Sequence, residues 1–185
     1  KSAEKDYSKA LIIDKELLPA YLNRAIMREK LDDWEGAIED CNMAIKLNMF
    51  SDDAYGLRGY LHFKEKKYHD AIEDYNKALK INPQNKRILM SRAITWYEMK
   101  KFPEAMEDYT AVLKVDSTYA YAYYNRALLR AEIGETNKAI DDLDQVLEMN
   151  PDNILIYFNR GLLKMGIIPG LTMTSLKVSR CILIS

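Results

Sequence analysis

The stretch YHDAIEDYNKALKINP, residues 68–83, decides the fold. Ala71, Ile72, Tyr75, Ala78 and Leu79 fall three and four positions apart, the spacing of one helix face and not the alternation of a strand. Pro83 follows as a stop signal. The pattern returns every 34 residues, as WEGAIEDCNMAIKLN from Trp34, FPEAMEDYTAVLKVD from Phe102 and TNKAIDDLDQVLEMNP from Thr136. A second set, YLNRAIMR, YGLRGYLH, LMSRAITW, YYNRALLR and YFNRGLLK, begins at Tyr21, Tyr55, Leu89, Tyr123 and Tyr157, again 34 apart. Both sets carry the helical period, so each repeat is a helical hairpin. Pro151 also stops a helix, while Pro19 and Pro103 fall in first turns, where a missing N–H costs nothing.

Composition agrees with a helical chain. Seven Gly and five Pro in 185 residues leave little material for the turns of an all-β fold. The net charge of −1, from 27 Lys plus Arg and 28 Asp plus Glu, gives no electrostatic reason to expect nucleic acid or an anionic membrane. No apolar run approaches the roughly 18 residues of a membrane span, so no membrane insertion is expected. Cys41 and Cys181 are too few for a disulfide framework. Neither terminus reads as a signal peptide or lipidation motif, and the compartment is not readable.

With small residues at position 8 of each repeat (Ala25, Gly59, Ala93, Ala127, Gly161) and at position 20 (Ala37, Ala71, Ala105, Ala139), the chain resembles the tetratricopeptide repeat family. Position 27 reads Ala10, Ala44, Ala78, Val112 and Val146, and Pro83 and Pro151 keep the family's proline at position 32. The resemblance implies an all-α fold, a right-handed α-solenoid (superhelix) of stacked antiparallel helix pairs. It divides the chain into a second helix of a truncated repeat at 1–17, repeats at 18–51, 52–85, 86–119 and 120–153, and the first helix of an incomplete repeat at 154–166. Beginning on a second helix, the chain reads as a fragment of a longer array. The tail from Ile167 loses the period; a frameshift in the encoding DNA would explain this, and sequencing that DNA is the check.

In the family, first helices line a concave groove, and positions 2, 5, 9 and 12 point into it. The resemblance therefore implies a peptide-binding surface of Leu22 and Ile26; Tyr60 and Phe63; Met90, Ile94 and Tyr97; Tyr121, Tyr124 and Leu128; and Leu155, Phe158 and Leu162. Aromatic and Met side chains offer large, adaptable contact area, although packing between helices is an equal use for any one of them. At position 6, Asn23, Asn125 and Asn159 have amides suited to an extended peptide backbone or to their own array. Relatives that grip a chaperone tail's carboxylate use Lys at 2 with Asn at 6, Asn at 6 of the next repeat, then Lys and Arg at 2 and 6. Here Asn23 stands with Pro19, Leu57 follows, and Arg87 goes with Ser91, so that clamp is missing.

Two charged ladders also step by 34: Arg24, Arg58, Arg92, Arg126 and Arg160 at position 7, and Asp6, Asp40, Asp74, Asp108 and Asp142 at position 23. Extending the family's contact between position 27 of one repeat and position 3 of the next pairs Asp6 with Arg24, Asp40 with Arg58, Asp74 with Arg92, Asp108 with Arg126 and Asp142 with Arg160, as structural ion pairs between repeats. No phosphate-binding glycine loop occurs. His62 and His69 fall on different helices without a Cys partner, which argues against a metal site. No nucleophile dyad is present, so neither an enzyme nor a cofactor is expected. The reading is a protein-interaction scaffold holding an apolar or amphipathic peptide. The alternative is a structural module that forms homo-oligomers through uncapped solenoid ends.

Overall fold

A computed structural model of the protein describes residues 2–168. The frameshift expectation for the tail falls almost wholly outside the described residues. Within them the chain is all-α, with ten helices: α1 (Ser2–Ile13), α2 (Leu18–Glu29), α3 (Trp34–Leu47), α4 (Asp52–Lys64), α5 (Tyr68–Ile81), α6 (Lys86–Glu98), α7 (Phe102–Val115), α8 (Ala120–Glu132), α9 (Thr136–Met149) and α10 (Ile154–Lys164). The helical-repeat class read from the sequence is the class observed, and α3, α5, α7 and α9 start in step with their four quoted segments. The helices group into two compact units, one reaching to Thr95 and the other beginning at Trp96.

Each hairpin turns in the same way. Asp32, Lys66 and Lys100 adopt left-handed φ of 61°, 62° and 59°, and Gly134 takes the equivalent place at 83°. The next N–H then reaches back to the end of the first helix: Asp33 to the Arg28 carbonyl, Lys67 to His62 and Lys101 to Trp96, each at 2.9 Å, and Glu135 to Arg130 at 2.7 Å. This closure satisfies carbonyls that the helix leaves open. Only glycine adopts the conformation without a Cβ penalty of about 1–2 kcal/mol. Lys66→Gly should therefore stabilise the protein by roughly 0.5–1 kcal/mol, the strain relieved less glycine's larger unfolded entropy. Urea titration checks this, and a loss of stability would contradict it.

Small residues let the paired helices close. Ala25, Ala37, Cys41 and Leu61 form one buried cluster of the first unit, and Leu11, Ala20, Tyr21, Ala44 and Ala54 another. At Gly59 a Cβ would lie 2.8 Å from the Tyr75 ring and 3.2 Å from the Ala71 carbonyl oxygen. In the second unit Ala127, Ala139, Leu143, Val146, Ile156 and Leu163 pack around Tyr124.

The charged ladders pair differently from the expectation. Arg24 holds Asp40 through Nε at 2.9 Å and Nη2 at 2.6 Å, Arg58 holds Asp74 at 2.8 and 2.6 Å, and Arg126 holds Asp142 at 3.0 and 2.7 Å. The expected inter-repeat pairs Asp6–Arg24, Asp40–Arg58, Asp74–Arg92, Asp108–Arg126 and Asp142–Arg160 are thus corrected, because Arg24, Arg58 and Arg126 hold Asp40, Asp74 and Asp142 of their own hairpins instead. The reason is the turn: Arg24 and Asp40 lie equally far on either side of Asp32, so antiparallel packing sets them opposite. The arginine still links repeats, through Nη1 to the residue at position 25 of the preceding one. Arg24 reaches Ser8 Oγ at 3.2 Å, Arg58 reaches Asn42 Oδ1 at 2.5 Å and Arg92 reaches Asn76 Oδ1 at 2.6 Å. The guanidinium also lies over the ring of a tyrosine three residues earlier, Arg24 on Tyr21 at 5.7 Å and Arg126 on Tyr123 at 5.4 Å.

Candidate functional site

First helices of the first unit enclose a cleft of about 400 Å³, within the range of ligand sites. Leu22 and Ile26 come from α2, Leu57 and Tyr60 from α4, and Ile88 from α6. The polar lining is Asn23, Ser91 and the exposed pair Asp53–Arg87, whose carboxylate and guanidinium are 3.1 Å apart. Gly56 also lines the cleft. A Cβ there would meet Ile88 Cδ1 at 3.0 Å and Cγ1 at 3.2 Å, so the absence of a side chain keeps this space open. Tyr60 is held at the edge by its hydroxyl on Glu29 at 3.3 Å and by Lys64 Nζ, 5.8 Å from its ring centre.

Of the residues expected on the groove, Leu22, Asn23, Ile26 and Tyr60 meet at this cleft. Phe63 is half-buried and packs on Tyr68, ring centres 5.7 Å apart, and Ile94 is half-buried too. Met90 is buried, and Tyr124 and Asn159 are each only 2% exposed. These three are corrected from contact residues to core: they border the buried stripe of their helices, and large side chains there fold inward. Asn159 Nδ2 donates to the Tyr124 hydroxyl at 3.1 Å, satisfying both groups inside the second unit. Asn125 likewise donates to the Tyr121 carbonyl at 2.8 Å, whereas Asn23 is exposed.

The remaining positions belong to the second unit. Tyr97 donates to Glu132, which also accepts from Lys100 Nζ at 3.1 Å, and burial followed by that carboxylate bond pushes the Tyr97 phenol well above its usual range. Burial likewise raises Tyr121. Leu128 and Leu155 are partly buried against the core and Leu162 is half-buried, while Phe158 is exposed. The sequence reading passed over Asp53, Gly56, Leu57, Arg87, Ile88 and Ser91 as cleft residues. A signal existed: position 5 holds Leu22, Met90, Tyr124 and Phe158 in other repeats but Gly56 in the second.

Chemistry elsewhere is subdued. Burial pushes the Cys41 thiol up to about 12, leaving it protonated and a poor nucleophile. His62 Nε2 stands 3.8 Å from Asp74, where Arg28 and Arg130 approach Asp40 and Asp142 in their own hairpins at 3.0 and 2.7 Å. Among the described residues no helix is long and apolar enough to cross a membrane.

Comparisons with known proteins fit this geometry. The family model "Tetratricopeptide repeat" matches residues 52–85 and 120–153, "TPR repeat" matches 95–134, and "Anaphase-promoting complex subunit 5" matches 4–66. No curated protein matches by sequence. Among solved structures, YrrB, a TPR protein with an unusual peptide-binding site, superposes with a TM-score of 0.72 at 19% identity, over 86% of this chain and 82% of its own. MamA from Desulfovibrio magneticus RS-1 gives 0.72 at 17% identity, over 80% and 84%. The first TPR of Spaghetti (RPAP3), bound to the HSP90 peptide SRMEEVD, gives 0.58 at 26% identity, over 62% and 90%.

Proposed function

The chain belongs to the tetratricopeptide repeat family, and from that premise we propose that it is a protein-interaction scaffold whose first-unit cleft takes an apolar side chain of a partner's peptide segment. The carrying observation is the gap at Gly56, walled by Leu22, Ile26, Leu57, Tyr60 and Ile88. An aliphatic or aromatic side chain entering it exchanges water for apolar contact, worth about 25 cal/mol for each Å² buried. The Asn23 amide stands beside it with donors and an acceptor for the peptide backbone. The proposed role is recognition, without catalysis. Peptide-binding relatives support it: YrrB is a TPR protein with a peptide-binding site, and the Spaghetti repeat holds SRMEEVD. That acidic peptide suits a clamp of Lys, Asn and Arg; here Asn23 and Arg87 keep an amide and a positive charge, but Pro19, Leu57 and Ser91 stand at the other three positions.

The test uses peptides selected by display on the full chain, with calorimetry against wild type and Gly56→Leu. Binding weakened at least about tenfold by Gly56→Leu, with unchanged helicity, is expected from filling a hot-spot pocket. SRMEEVD should show no measurable heat. Equal affinity for both proteins would overturn the pocket. A second reading, self-association, is favoured by the apolar residues of α10, where Ile154, Tyr157 and Phe158 are exposed.

A further inference from the structure

Four of the five first helices place a tyrosine at position 4 of the repeat: Tyr21, Tyr55, Tyr123 and Tyr157. Each ring lies against the arginine of position 7, at 5.7 Å for Arg24, 5.6 Å for Arg58, 5.4 Å for Arg126 and 5.1 Å for Arg160. Tyr21 shows what holds such a ring. It is buried in the cluster of Leu11 and Ala44, and its hydroxyl donates to the Lys15 carbonyl at 3.2 Å. Arg24, over the ring, is tied to Ser8. The seat is thus built from position 7 of the same helix and from positions 25, 28 and 32 of the preceding repeat.

The third repeat has Leu89 at position 4. An open pocket of about 400 Å³ lies there, lined by Asn76, Leu79, Lys80, Pro83, Leu89 and Arg92. Asn76, Leu79 and Pro83 are the counterparts of Ser8, Leu11 and Lys15, and Arg92 is the counterpart of Arg24, so the walls of the seat are present without the ring. Arg92 Nη1 holds Asn76 at 2.6 Å, as Arg24 holds Ser8. Charge agrees with shape. An aromatic ring has a negative face, and the lining contains two cationic side chains, Lys80 and Arg92, and no carboxylate. The cleft at Gly56 uses Arg87, Ile88 and Ser91 of α6, so the two spaces share no residue.

We propose that this pocket is a second contact site, taking a tyrosine side chain of a partner protein in the seat that a tyrosine of the chain itself fills in the other repeats. The ring would lie against Arg92 and Leu79, with its hydroxyl on the Pro83 carbonyl. A space left by a shortened side chain suits the missing ring, as an apolar cavity made by truncation takes up benzene. The proposal does not depend on the cleft.

The test follows N-acetyl-tyrosinamide, with N-acetyl-leucinamide as control, by backbone-amide NMR of the labelled full chain. The tyrosine amide should shift Asn76, Leu79, Leu89 and Arg92 saturably while Gly56 stays unmoved, and the leucine amide should not. Leu89→Tyr, which supplies the ring in place, should raise the urea midpoint and weaken the tyrosine amide at least about tenfold, as expected when a contact pocket is filled. Leu89→Met, close in volume, should keep the wild-type response. Equal shifts by the two amides, no saturable shift by either, a lowered midpoint for Leu89→Tyr, or tyrosine-amide binding that this variant leaves intact would each overturn the seat. Concentration-dependent association in sedimentation velocity that Leu89→Tyr removes would give the pocket to a second copy of this chain and overturn the assignment to a different partner.

Discussion

Asp142→Ala is expected to destabilise the second unit by roughly 3–5 kcal/mol, the range for removing one member of a buried ion pair. Asp142 is buried and accepts from Arg126 at 3.0 and 2.7 Å, and Arg130 Nη1 stands 2.7 Å away. Alanine would leave two part-buried guanidinium groups facing one another with no anion between them. Removing the positive partners as well should recover part of the loss, because the pair's attraction largely offsets its desolvation and contributes little net stability. Urea unfolding of Asp142→Ala and of Arg126→Met/Arg130→Met/Asp142→Leu checks both statements. A cost under about 1 kcal/mol for the single variant, the value of an exposed pair, would contradict the clamp.

Tyr124→Ala should cost about 3–5 kcal/mol, as large-to-small changes of buried aromatic residues do. Its ring sits within the cluster of Ala127, Ala139, Leu143 and Ile156, and its hydroxyl receives the Asn159 amide. Tyr124→Phe separates the contributions: the ring remains, and a stranded buried amide alone costs about 1–3 kcal/mol. Folded Tyr124→Phe should bind cleft peptides as wild type does, because Tyr124 belongs to the second unit and not to the cleft. Unfolding curves superimposable on wild type for both variants would return Tyr124 to the surface.

Much of the fold was legible because a hairpin repeated in fixed phase writes the same constraint many times. Ala37, Ala71, Ala105 and Ala139 mark one interface, and each is fully buried. The ion-pair partners were not legible from the ladder alone, because Asp40 recurs at the same sequence interval whether it faces Arg24 or Arg58. The hairpin turn at Asp32 decides between them. The cleft was half legible. Apolar residues at groove positions announced Leu22, Ile26 and Tyr60, but a pocket is made by what is missing, and a scan for apolar groove residues passes over Gly56. Met90 and Tyr124 show the opposite error, since a residue at the margin of a helix's buried stripe has the same sequence position whether it turns outward or inward.

The central claim is that the space at Gly56 receives a partner's apolar side chain. Backbone-amide NMR of the isotopically labelled full chain, titrated with a display-selected peptide, tests it most directly. Shift changes should centre on Leu22, Ile26, Gly56, Leu57, Tyr60 and Ile88 and should disappear when the peptide's anchoring side chain is replaced by Ala. Changes confined to α3 and α5, with Gly56 and Ile88 unmoved, would contradict it.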